Sequence, residues 1–405
     1  MKAIILILSL ITLNITCHAQ ETPVSNAPVS NNNNALNSLL SDVASNNKRL
    51  KALRELSDAQ KVSNKTGLNP ENPAVEFNYL WGEQPIPGDR KDIRIVQSFD
   101  FPSSYGQRSN IAKLKNKQSD YEYRKEYLSV MHSATILYVE LVYLNSYIAE
   151  LNSRTANLNE LAKAMEVKLR KGDANILEYN KAFLNFANQQ QLLNEQMSRL
   201  RNVSSELEAL NGGKAVEITD QEPYLPIIET DFEKWHNATA NSNPDIQWME
   251  EESLINAGMV KLNTSLSLPK FTAGYMSENL PQERFSGVTV GMSIPLWENR
   301  NLVKSAKLKS IASQDMALDM KQQFNYKLRA NHEKVITLLT NAKKYRTDIE
   351  SHTNAEFLKK AFDSGEISLI EYLTELTFYY QSIDQMLNLE REAGIAAAEL
   401  LYYER

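Results

Sequence analysis

Between Gln107 and Lys171 the chain runs for 65 residues without a glycine or a proline. At 1.5 Å per residue, a helix of that length spans roughly 100 Å, several times the width of a small domain. In its second half the apolar residues step by three and four: Ala134, Leu137, Leu141, Leu144, Ile148, Leu151, Leu158, Ala162, Met165 and Leu169, with Thr155 the one interruption. An a/d seam kept for about five heptads is the pattern of helices packed lengthwise on one another. Gly172 ends it.

The remaining elements occur twice. A helix is expected over 35–66, strands over 74–81 and 93–101, the long helix over 107–171 and a further helix over 173–211. After a proline-bearing connector at 214–243, the order returns as a helix over 245–263, strands over 270–277 and 286–295, and helices over 297–364 and 366–405. Residues recur as well as order. Gly172, Glu178 and Tyr179 match Gly365, Glu371 and Tyr372, Pro73 and Tyr79 match Pro269 and Tyr275, and Ala112-Lys113-Leu114 matches Ala306-Lys307-Leu308, at offsets of 193 to 196 residues. Two repeats, 35–213 and 244–405, are the expectation.

Residues 1–19 have the form of a secretory signal: Lys2, the apolar run Ile4–Leu13, then small residues around Ala19. The only cysteine, Cys17, falls inside it, so cleavage after Ala19 leaves no disulfide and no thiolate ligand, while acylation at Cys17 stays open. Residues 20–34, rich in Ser, Pro and Asn, read as a disordered leader. No 18-residue apolar stretch is expected beyond the signal, so a membrane span has to be built from strands. The net charge of −6 and the lack of a basic cluster interleaved with aromatics argue against nucleic acid as a partner. The five histidines are dispersed, and no metal, phosphate-loop or nucleophile motif occurs, so neither an enzyme nor a cofactor is expected.

The strands carry the strongest physical demand. Val75, Phe77, Tyr79 and Trp81 alternate with Glu76, Asn78 and Leu80, and Val288, Val290, Met292 and Ile294 alternate with Gly287, Thr289, Gly291 and Ser293. Two hairpins cannot close a membrane barrel, which needs about eight strands or more. Three chains pooling four strands each make twelve, with the helices continuing into the aqueous space. A soluble coiled-coil scaffold with two surface hairpins explains the helices but not the outward apolar face.

The duplicated order helix–hairpin–long helix–Gly turn–helix resembles the TolC family of outer-membrane efflux proteins over about residues 35–405. Asn69-Pro70-Glu71-Asn72-Pro73 and Ser293-Ile294-Pro295-Leu296-Trp297 resemble the family's strand borders, and Lys171-Gly172-Asp173 and Ser364-Gly365-Glu366 its helix-turn-helix tips. The short chain and Asn243-Pro244-Asp245-Ile246 are similar to the heavy-metal (CzcC-like) branch. The resemblance implies a mostly α fold with a membrane β-barrel: a homotrimer with a twelve-stranded barrel in the outer membrane and a periplasmic α-helical tunnel. It implies a passive exit duct joined to a periplasmic adaptor (membrane fusion protein) and an inner-membrane transporter, with heavy-metal cations as cargo, or alternatively drugs, dyes or secreted polypeptides.

Gly172 and Gly365 suit the left-handed turn that reverses a helix. Around them the resemblance implies adaptor contact by Arg170, Lys171, Asp173, Ser364, Glu366 and Ser368. It places Glu371 facing the pore, where threefold symmetry makes a ring of carboxylates; a helix-face glutamate paired with a basic group is the alternative. Val75, Phe77, Tyr79, Trp81, Tyr275 and Trp297 are the expected lipid-facing or interfacial side chains.

Overall fold

The structure is a computed structural model that describes residues 34–82, 88–239, 243–297, 299–352 and 355–404. The signal, Cys17 and all of the leader but Asn34 therefore lie outside the described residues.

The first repeat opens with α1 (Asn34–Asn46) and α2 (Lys48–Ser63), where one helix over 35–66 is expected. The break is made by Asn47. Its side chain accepts from the Leu50 amide at 2.9 Å, starting α2, and donates to the Leu210 carbonyl at 2.7 Å. An asparagine can thus stop and restart a helix that contains no glycine or proline. Strands β1 (Ala74–Leu80) and β2 (Arg90–Phe99) follow. Then α3 (Pro102–Lys171) runs for 70 residues, roughly 105 Å. Pro102 occupies the first turn, where its missing N–H costs nothing, so the helix begins before Gln107 and tolerates the exposed Gly106. Helix α4 (Ile176–Leu210) returns antiparallel along it.

The connector contains a short helix, α5 (Phe232–Thr239), that its mixed composition does not announce. Tyr138 donates to Asp220 at 2.7 Å, and Asn145 donates to the Ile218 carbonyl at 2.8 Å. These bonds strap the connector across the middle of α3. Burial pushes the Tyr138 hydroxyl well up from its ordinary value, and the Asp220 bond adds to this.

The second repeat comprises α6 (Pro244–Leu266), β3 (Phe271–Asn279), β4 (Arg284–Met292), α7 (Arg300–Ser351), α8 (Ala355–Asp363) and α9 (Leu369–Leu400), closed by a 3-10 turn at Leu401–Glu404. The unbroken helix expected over 297–364 is two helices. At the end of α7, Ser351 donates to the Thr347 carbonyl at 2.8 Å and the His352 ring bonds the Asp348 carbonyl at 2.8 Å. His352 leaves the helical region at φ −126°, ψ 43°. Side-chain bonds that compete with the backbone ladder, in a run of poor helix formers, explain the stop.

The four strands form one antiparallel sheet in the order β1-β2-β3-β4. The central β2–β3 pair, Lys91↔Asn279 to Phe99↔Phe271, joins the two repeats. The main core lies where α1 and α2 (Leu36, Leu39, Leu50) meet α3 (Ala134, Tyr138, Leu144, Leu151), α4 (Leu193, Leu207) and α9 (Leu387). One correction concerns α3. It does contain an 18-residue window of mean hydropathy 1.3, but 61% of that window is buried inside the chain, as in the core helix of a bundle.

Candidate functional site: a two-faced sheet and two helical turns

The register decides what each face of the sheet presents. Val75, Ile95, Tyr275 and Val288 lie in one row across all four strands, with Phe77 and Ile93 in the next row and Phe99, Phe271 and Met292 at the end nearest the helices. These residues share one face, and it is bare: Val288 is 85% exposed and Val75 69%. On the opposite face Arg90 pairs with Asp92 at 2.8 Å and with Glu278 at 2.9 Å, and Arg94 lies 3.7 Å from Glu76. Alternation along the strands separates the two faces; the charges of the second face come from β1, β2 and β3, while β4 contributes Gly287, Thr289 and Gly291 there. The ten residues of β2, at about 3.3 Å each, would cover a height of roughly 25 Å at the tilt of about 40° usual in a membrane barrel, the height of such a barrel's apolar band.

Aromatic rings mark both limits of this face. Tyr79 and Trp81 meet edge to face at 5.6 Å at the far end, with Trp81 just past β1 and 84% exposed. Phe101 and Phe271 lie 6.3 Å apart at the helical end, where Trp297 is also exposed beyond β4. Within the chain β1 and β4 each pair on one side only, so the sheet ends in two open edges.

At the other end of the helices are the two glycine turns. Gly172 adopts φ +82°; its N–H donates to the Leu169 carbonyl at 3.1 Å, and Asp173 donates to Lys168 at 2.9 Å. Gly365 adopts φ +77°, with Glu366 donating to the Ala361 carbonyl at 2.9 Å. Both are left-handed helix ends that a side chain would strain. One core cluster unites the turns: Leu158, Ala162 and Met165 of α3, Ala182 of α4, and Leu369, Tyr372 and Leu373 of α9. Phe362 stacks on Tyr372 at 4.8 Å, and the Lys168 ammonium lies 5.7 Å from the Phe362 ring centre. Arg170, Lys171 and Asp173 therefore share an end of the molecule with Ser364, Glu366 and Ser368. Arg170 reaches back to Glu166 at 2.9 Å, and Ser364 donates to the Lys360 carbonyl at 2.7 Å.

Glu371 has a local structural partner. Its carboxylate accepts from the Ser368 amide at 2.8 Å, while the Ser368 hydroxyl accepts from the Glu371 amide at 3.2 Å. The two bonds to Ser368, the backbone one first, hold the carboxyl below its ordinary value. Glu178 does the same with Asn175, at 2.9 and 3.0 Å. Both glutamates thus close capping boxes, and the Asn-x-x-Glu and Ser-x-x-Glu spacings after each glycine carry that signal in the sequence.

Buried ion pairs are what sequence reasoning missed. Arg154, 2% exposed, bonds Glu150 at 2.8 Å and Asp384 of α9 at 2.7 Å, with its guanidinium 4.4 Å from the Tyr380 ring centre. Burial pushes the Tyr380 hydroxyl up to about 12. Higher along the bundle, Arg346 of α7 grips the buried Glu390 of α9 with two nitrogens, one at 2.8 Å. Glu390 is the first cause of a guanidinium pKa raised above its ordinary value. Among the described residues no three His, Cys, Asp or Glu side chains gather as metal ligands would.

No protein-family model matches the sequence, and no curated protein matches it. Solved structures do. The crystal structures of CusC, described for transmembrane channel formation, superpose with a TM-score of 0.77 over 94% of each chain at 13% identity. The Campylobacter jejuni CmeC outer membrane channel gives 0.74 over 91% of this chain and 85% of its own, at 17% identity. The open state of the Neisseria gonorrhoeae MtrE outer membrane channel gives 0.73 over 91% and 88%, at 12% identity. The chain has the outer-membrane channel fold. That fold joins an α-helical tunnel to a β-barrel contribution, and the proteins that share it here are channels, not enzymes.

Proposed function

We propose that three copies of this chain form a channel through the outer membrane, the exit duct of a tripartite efflux pump. The observation that carries this reading is the bare apolar face of a four-stranded sheet with two open edges. In hydrocarbon an unpaired strand edge is not tolerated, because every N–H and C=O has to be bonded within protein. Pairing β4 of each copy with β1 of the next satisfies both edges, and three copies give the twelve strands of a closed barrel. The apolar face then meets lipid, and the Arg90, Asp92 and Glu278 face lines a wet interior. The likeness of fold to CusC, CmeC and MtrE supports the same reading.

In this assembly the helices extend into the periplasm and the Gly172 and Gly365 turns form the free end. Their exposed charges are the surface offered to a periplasmic adaptor, which connects the duct to an inner-membrane transporter. Heavy-metal cations are the proposed cargo, supported by the sequence motifs similar to the heavy-metal branch. Glu371 is the proposed pore-facing carboxylate, a role compatible with its cap because the side chain is exposed.

The experiment is fractionation. The chain should stay with outer membranes through high salt, come out only in detergent, and sediment as a trimer. Release by salt as a monomer would remove the duct and favour a soluble scaffold. Cells lacking the chain should become sensitive to zinc, cobalt, cadmium, copper or silver ions; sensitivity to dyes and antibiotics alone would keep the duct and discard the metal cargo.

A further inference from the structure

Where the sheet meets the helices there is a cavity of about 550 Å³. The end of α2 and α6 form its sides, and the buried Ile111 and Ala112 of α3 form part of its floor. Phe99, which by register with Phe271 belongs to the apolar face of the sheet, lines it together with its neighbours Ser98 and Asp100. The lining also holds neutral polar groups, Gln60, Asn64 and Asn69 among them, and five charged residues. Arg108, Lys115 and Lys270 stand with Asp100 and Glu71.

The charges are not all matched internally. Arg108 binds Asp100 at 2.5 Å, and Lys270 lies 3.8 Å from the same carboxylate. Lys115 is exposed and forms no ion pair among the described residues. Three cations thus face two carboxylates. The wall is held in place on the acidic side, because Gln97 donates to the Glu71 carbonyl at 2.6 Å. The level along the barrel is also informative. Phe99, Phe101, Phe271 and Trp297 stand at this end of the apolar face, and aromatic rings gather where hydrocarbon gives way to headgroups.

We propose that this cavity seats the headgroup of a zwitterionic phospholipid from the leaflet on the helical side of the membrane. Its phosphate lies against Lys115 and Lys270, its ammonium toward Glu71, and its acyl chains leave past Phe99 along the sheet. A phosphate gains charge-assisted hydrogen bonds from the two lysines, and a phosphoethanolamine accounts for the presence of both signs in one cavity. The inference rests on the reading of the sheet as a membrane barrel.

The test is native mass spectrometry of the detergent-purified full chain, after delipidation and addition of phosphatidylethanolamine, phosphatidylglycerol or inorganic phosphate. Phosphatidylethanolamine should remain bound to the wild type, and the Lys115→Gln, Lys270→Gln double variant should retain it about tenfold less at an unchanged thermal midpoint. Both lysines are exposed at the cavity, and Arg108 is left to hold Asp100. A second variant, Phe99→Ser, should weaken lipid retention and leave phosphate binding unaffected. Equal retention by wild type and double variant would overturn the proposal. So would preference for phosphatidylglycerol, or displacement of the lipid by millimolar phosphate. A detergent-requiring trimer that shows no headgroup selectivity overturns this site alone, whereas a chain that never enters membranes overturns the channel reading itself.

Discussion

Arg154 and Asp384, 230 positions apart in the chain, bond at 2.7 Å and tie α3 to α9 about midway between the connector and the glycine turns. The arginine is almost wholly buried while Asp384 and Glu150 keep partial access to water. Breaking a buried pair from one side strands the other charge, which typically costs about 3–5 kcal/mol. Asp384→Ala should therefore lower the thermal midpoint by several degrees. Arg154→Met, which removes the buried charge and keeps most of the volume, should lower it less. Thermal unfolding of the two variants followed by circular dichroism checks the order, and a larger loss in Arg154→Met would contradict this account.

The glycine turns predict a strain effect free of crowding. No atom lies within 4 Å of where a Cβ would stand on Gly172 or Gly365, so substitution meets only the positive φ. Gly172→Ala and Gly365→Ala should each destabilise by about 1 kcal/mol, and the asparagine variants by less, since Asn tolerates the left-handed region. A Gly212→Ala variant should be worse than either, because its Cβ would fall 2.3 Å from the Asn46 carbonyl oxygen.

Glu371 predicts a separation of roles. Ser368→Ala should cost about 1 kcal/mol through the lost cap. The depressed carboxyl pKa means that its contribution is present above the ordinary value of 4.5 and disappears as pH falls through the lower folded value. The difference in melting temperature between wild type and Glu371→Gln should accordingly shrink in acid. Reversal potentials in planar bilayers address the other role: a pore ring requires Glu371→Gln to lose cation selectivity, whereas a cap alone leaves it unchanged.

The sheet predicts opposite outcomes for neighbouring residues. Val288 sits in the middle row of the apolar face, and a lysine there should cost about 2–4 kcal/mol at the hydrocarbon midplane. Thr289, one position on, points to the charged face. If the proposed barrel forms, Val288→Lys should reduce the trimer recovered from membranes, and Thr289→Lys should leave it nearly intact.

Much of this architecture is legible in the sequence because its signals are periodic. The 3.5-residue seam of α3 and the two-residue alternation of β1 and β4 each report a face, and a face implies what covers it. The glycine turns are legible because a helix reversal needs a positive φ. The misread places share another cause. Missing glycine and proline do not make a helix continuous: Asn47 starts α2 by accepting from the Leu50 amide, and at the end of α7 Ser351 and His352 bond back to the Thr347 and Asp348 carbonyls. The pairing of β2 with β3, and of Arg154 with Asp384, depends on segments brought together only by the complete fold, so no local window contains it. The capping boxes at Asn175–Glu178 and Ser368–Glu371 are legible as Asn-x-x-Glu and Ser-x-x-Glu spacings just after each glycine.

The two open strand edges also bear on how such a chain reaches its final state. Within one copy α3, α4 and α9 share a core through Leu144, Leu193 and Leu387, while Ile176, Phe183 and Phe378 stay exposed. In the proposed trimer the outer hydrogen bonds of β1 and β4 come from neighbouring copies. That assembly would make the last step of folding a reaction between molecules, with a rate and an endpoint set by concentration. Dilution would then act as a denaturant directed at the sheet.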